Sequence, residues 1–96
     1  MVGGLTVEPI DPNKEMEQHI IGETFIKPKK EYSFTADKQS EDEWFIDKKY
    51  PIEIIDITRN SRGRSVITLK WTSSYSGSFE LKYGNDKKII VVESLF

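Results

Sequence analysis

Side chains able to do chemistry are few in this 96-residue chain, and their spacing is poor for catalysis. His19 is the single histidine, so a Ser-His-Asp arrangement would have to be built on it. With no cysteine, neither a thiol nucleophile nor a thiolate metal site is available. Carboxylates are plentiful, but spacing sets no pair across a cleft, so no glycosidase-type acid and base can be named. The acidic run Glu41-Asp42-Glu43, with Asp37 nearby, could offer oxygen ligands to calcium. It lacks the alternation and the glycine of an EF-hand loop, and a solvated charged loop is the better account. The expectation is a protein with no catalytic residue, no cofactor and no metal.

Two other groups suit binding better. Arg59, Arg62 and Arg64 surround Ser61 and Gly63 at a hairpin tip and could grip a phosphate, a sulfated glycan or an acidic partner, or simply solubilise a turn. Ser73, Ser74 and Tyr75 have the composition that antibody-like loops use for adaptable contacts; the plainer reading folds Tyr75 back onto the rim of the fold.

The elements that must position these residues are strands. In Ile67-Thr-Leu69-Lys-Trp71 and Gly77-Ser-Phe79-Glu-Leu81-Lys-Tyr83, apolar residues take every second position, the period of a strand with one face in a core. About seven strands follow from similar patterns and the turns between them. They cover residues 19–22 with an extension over 24–27, then 31–36, 43–47, 52–58, 65–72, 78–83 and 88–93. Asn60-Ser61-Arg62-Gly63 and Gly84-Asn85-Asp86 supply residues that tolerate positive φ and read as hairpin turns. The fold class is all-β: an Ig-like antiparallel β-sandwich of about seven strands, its strand order open between Greek key and meander.

Two stretches break the simple alternation. Apolar residues fall at Ile52 and Ile54, then at Ile55 and Ile57, which predicts a bulge or a change of sheet and a reversal of the buried face. Ile89-Ile90-Val91-Val92 is apolar on both faces, so one face needs the core and the other the N-terminal strand or a partner.

Tyr32, Phe34, Trp44, Leu69, Trp71, Phe79 and Leu81 are the expected structural core, stacked between two sheets about 10 Å apart. With no disulfide, Trp44→Ala and Trp71→Ala should each cost roughly 3–5 kcal/mol. Residues 1–17, rich in charge and broken by Pro9 and Pro12, read as a flexible N-terminal linker to a parent chain, and residues 18–96 as the sandwich domain. Hydrophobic residues at 36%, charged ones at 31% and a net charge of -2 give no reason to expect nucleic acid. No apolar run approaches a membrane span, so no membrane partner is expected.

Gly22, Tyr32-Ser-Phe34, Trp44, Ile67-Thr-Leu69-Lys-Trp71 and Gly77-Ser-Phe79-Glu-Leu81 form a pattern across residues 18–96. It resembles the Ig-like sandwich domains of the polycystic-kidney-disease type (PKD-like) and their bacterial and phage relatives. The chain lacks the cysteine pair of antibody domains and the Trp-Asp-Phe-Gly-Asp run of the polycystic type. The resemblance implies core roles for Tyr32, Trp44, Trp71, Gly77 and Phe79, and no active site. It also implies a noncatalytic structural or adhesion module, the C-terminal domain of a larger phage virion or bacterial surface protein. Localisation would be the virion or an extracellular surface. A protein or a cell-surface glycan would be the partner, met by loop tips, and the isolated domain would be monomeric. The alternative is a stand-alone interaction subunit using an exposed edge strand, with Ile90, Val92 and Phe96, or their neighbours of opposite parity, at the interface.

Overall fold

The computed structural model describes residues 19–38 and 41–94. The proposed linker over residues 1–17 and the final Phe96 lie outside the described residues.

Alternation of apolar and polar side chains generates eight strands. They are β1 (Ile20–Ile21), β2 (Phe25–Ile26), β3 (Glu31–Ala36), β4 (Trp44–Phe45), β5 (Ile52–Arg59), β6 (Ser65–Trp71), β7 (Gly77–Tyr83) and β8 (Asp86–Val92). They form two four-stranded sheets, ordered β1-β3-β6-β5 and β2-β8-β7-β4. Lettered A, A′, B, C, D, E, F and G, these become A-B-E-D and A′-G-F-C, the order of an Ig-like sandwich. Pairing is antiparallel except between β2 and β8, which run parallel with Phe25 opposite Val91 and Ile26 opposite Val92.

The eighth strand arises because the first stretch divides. β1 joins one sheet and β2 the other, so the chain crosses the core edge through Gly22, Glu23 and Thr24. Glycine is required at the crossing, since a Cβ on Gly22 would run into the buried Phe34 ring. The third expected strand shrinks to Trp44–Phe45 because Asp47 turns the chain: its Oδ1 accepts from the Lys49 amide at 3.0 Å, and its carbonyl from the Tyr50 amide at 3.3 Å. β8 starts earlier than expected, at Asp86, because Gly84 with φ of 60° lets the β7–β8 turn close over two residues.

Phe34, Ile67, Leu69, Trp71, Phe79, Leu81, Tyr83, Ile90 and Val92 fill the space between the sheets, and Tyr32 and Trp44 pack half-buried against them. Trp71 lies against Phe79 with ring centroids 5.8 Å apart, and Trp44 against Tyr83 at 4.8 Å. Such contacts add to the area the rings bury.

The irregularity in β5 is a bulge, between Ile54 and Asp56. Its effect is opposite to the expected reversal of face. Ile54 pairs with Leu69 and Ile57 with Ile67, both inward-facing residues of β6, so the extra residue keeps Ile52, Ile54 and Ile57 on the inner face.

A strained turn ends β2. Lys29 has φ of 69°, the left-handed region, directly after the buried Pro28, while its amide donates to the Trp71 carbonyl at 2.8 Å. Proline followed by a positive φ is the pattern of a type II turn, which favours glycine at the second place. Lys29→Gly keeps the amide and removes the strain. It should raise stability by about 0.5–1 kcal/mol, after the extra freedom glycine gives the unfolded chain, read as a higher urea midpoint at unchanged slope.

Candidate protein-interaction surface

The arginines and the serine-tyrosine loop sit at opposite ends of β6, so they do not form one surface. Residues 60–64 precede β6 and residues 72–76 follow it. At the first end, the Asn60 amide donates to the Arg64 carbonyl, the Gly63 amide to the Asn60 carbonyl, and Gly63 takes φ of 78°. This is a three-residue hairpin loop with a left-handed glycine. Its arginines serve it: Arg59 donates to the Gly63 carbonyl at 2.7 Å, and Arg64 reaches Asp37 at 3.3 Å.

The acidic loop is tied down in the same way. Lys38 lies 2.8 Å from Asp86 and 3.7 Å from Asp42, linking the loop after β3 to the start of β8. These carboxylates hold the Lys38 pKa above its ordinary value, the hydrogen bond to Asp86 foremost. Among the described residues no three His, Cys, Asp or Glu side chains gather as a metal site would need.

At the other end, the Tyr75 carbonyl accepts from the Trp71 indole at 2.9 Å and the Tyr75 amide donates to Ser73 Oγ at 3.1 Å. The backbone is pinned to the core while the Tyr75 ring stands 80% exposed, not folded onto the rim. The loop therefore presents one aromatic ring from a fixed base.

A surface that was not singled out from the sequence lies between β4 and β5. β5 has eight residues and the facing edge strand β4 only two, so among the described residues much of the inner face of β5 has nothing opposite it. Ile54 and Ile57, in inward register, are 50% and 52% exposed. Two open clefts follow the strand. One, of about 360 Å³, is bounded by Trp44, Ile57, Arg59 and Asp42; the other, of about 220 Å³, by Ile46, Tyr50, Ile52 and Ile54. The Trp44 indole donates to Ser65 Oγ at 2.8 Å, which fixes the ring as a wall of the first cleft.

The irregularity in β5 was legible; that it keeps Ile52, Ile54 and Ile57 on one face was not, nor was that face's lack of a cover among the described residues, because cover depends on where β4 stops. Exposed isoleucines on a long edge strand mark a site for association more than a solvated face.

A smaller apolar patch lies on the outer face of the other sheet, where Phe25 is beside Val91, with Ile89 two residues along. Among the described residues, the expected cover of the β8 outer face is missing. The N-terminal strand lies along the edge of β8, not over its face, since hydrogen bonding to β8 requires it to be in the same sheet. Of the two parities open for an interface on β8, Ile90 and Val92 are buried in the core, and Ile89 of the other parity is half exposed.

One buried ionisable group could suggest chemistry. Lys88 faces inward on β8 at 4% exposure, with Nζ 3.1 Å from Thr24 Oγ1. Burial lowers its pKa, and the Glu23 carboxylate partly opposes that. Thr24 lies on the crossing between β1 and β2, so this contact ties the crossing to β8. Because the folded-state pKa is below the unfolded value, the cost of burying the charge is full at neutral pH and fades as pH rises toward 10.5. Lys88→Met should gain about 1 kcal/mol at pH 7, with a gain that shrinks in urea melts run at rising pH up to 10.5.

Comparison with protein-family models, curated proteins and solved structures found no match to this chain.

Proposed function

We propose that this chain is a noncatalytic Ig-like module that works by protein contact, as part of a larger virion or bacterial surface protein. The observation that carries the contact role is the half-exposure of Ile54 and Ile57 on an inner face that the described residues leave open. Leaving half of each side chain in water forgoes roughly 1 kcal/mol apiece, about half of what full burial gives, which favours a partner that covers them. The loop ends support this less, because their arginines are engaged in their own hairpin and Tyr75 stands alone.

A stand-alone interaction subunit is the second reading. It too uses an edge strand, and the long edge is β5.

Both parts can be tested. An antibody against the domain should label intact particles or cells of the source; labelling only after lysis would overturn the surface assignment. Beads carrying the domain should capture those particles or cells, and Ile54→Ser with Ile57→Ser should reduce capture at least severalfold. Loss of capture with Arg62→Glu and Arg64→Glu, or with Tyr75→Ala, and none with the isoleucine pair, would move the contact to the loops.

A further inference from the structure

We infer that β5 accepts an extended peptide of another protein as an added strand, and that this peptide alternates apolar and basic side chains. The inference rests on the contact role proposed above and specifies how that contact is made.

The backbone supplies the first reason. The Asn60 amide bonds across to Arg64, and the Pro51 carbonyl accepts from Thr72, so residues 60, 58 and 56, and below the bulge 51 and 53, direct their peptide groups at β6. Residues alternate in this respect along a strand. Ile54 and Ile57 therefore turn both their amides and their carbonyls to the outer edge, and β5 is the last strand of its sheet. The same two residues put their side chains over the open clefts. An incoming strand thus gains hydrogen bonds and apolar cover at the same positions, the pattern of β-augmentation.

Charge supplies the second reason and selects the occupant. The opposite face of β5 carries Glu53 and Asp56, both exposed, and the cleft rim adds Asp42, Glu43 and Asp47 against Lys48 and Arg59. Lys70 lies 3.6 Å from Glu53 and answers part of this charge. A second copy paired antiparallel on β5 would bring two more carboxylates, Glu53 and Asp56, onto the same face. Like charges side by side oppose that pairing. A strand with lysine or arginine opposite Glu53 and Asp56, and valine or isoleucine opposite Ile54 and Ile57, meets every position favourably.

The test uses the ¹⁵N-labelled domain and two soluble peptides, acetylated and amidated: Lys-Val-Lys-Val-Lys-Val-Lys and Glu-Val-Glu-Val-Glu-Val-Glu. The basic peptide should shift the amide signals of Ile54 and Ile57 and slow their exchange with solvent at least tenfold. It should bind about fivefold or more tighter than the acidic one, as two opposite-charge cross-strand pairs imply. Glu53→Lys with Asp56→Lys changes only exposed side chains and should reverse that preference, with the rest of the amide spectrum unchanged. Equal binding of the two peptides, signals that move at β8 or at residues 60–64 in place of β5, or no binding at all would overturn the inference. Self-association of the domain alone through β5 would overturn it too, by giving the edge to a second copy. None of these results depends on surface labelling of particles or cells, so failure here leaves the display role standing and failure there leaves the peptide site standing.

Discussion

Trp71→Ala should lower stability by about 3–5 kcal/mol. The ring is 5% exposed, stacked on Phe79 with planes 17° apart, and roofed by the Gly77 backbone, where a Cβ would stand 2.9 Å from Cζ2. Removing it opens a cavity between the two sheets that a glycine cannot fill. The change also frees the Tyr75 carbonyl, which the indole holds at 2.9 Å, and so loosens residues 72–76. Urea unfolding measures the first effect, and amide exchange in the loop measures the second. Trp71→Phe keeps most of the packing and loses the indole donor, so it should cost less while still speeding exchange in the loop. Trp44→Ala should cost less than Trp71→Ala, because Trp44 is only half-buried. A loss below about 1 kcal/mol for Trp71→Ala would mean that the sheets close over the gap.

Gly22→Ala is the second large effect, a loss of about 1–3 kcal/mol from forcing a methyl group into a filled space. The added Cβ meets the Phe34 ring, which is fully buried and has no room to retreat. The contact gives the prediction a built-in control. Phe34→Leu is itself destabilising, but it removes ring atoms from the clash, so the double variant should be more stable than the two losses added together. Strict additivity in a double-mutant cycle of urea melts would place the cost of Gly22→Ala in the backbone of the crossing and not in the ring.

Much of the core could be read from the chain because period two says which face a residue takes. Ile67, Leu69 and Trp71 alternate against Phe79, Leu81 and Tyr83, and all are buried. Period two does not say whether a face is covered. Ile57 and Ile67 share a face and a register, yet Ile67 is fully buried and Ile57 is half exposed. The difference lies in β4, which Asp47 ends after two residues, and no pattern within β5 reports it. The split of the first strand escaped for a related reason. Ile20 and Ile26 are both buried, but in different sheets, and six residues of sequence look the same whether or not the chain changes sheet between them. The loop candidates were located correctly in the sequence as turns. Arg59, Arg64 and Ser73 proved to be engaged in hydrogen bonds while the Tyr75 ring stands exposed, a division that depends on distances that composition does not contain.

The parallel pairing of β2 with β8 has a mechanical consequence. The Val91 amide bonds to the Thr24 carbonyl at 2.8 Å and the Glu93 amide to the Ile26 carbonyl at 2.9 Å. Tension applied between His19 and Ser94 pulls these two parallel strands in opposite directions along their length. Their hydrogen bonds then bear the load together, in shear, where a hairpin pulled from its open end would release them one after another. The short strand that changes sheets is thus also a clasp, closing the sandwich against force along the chain.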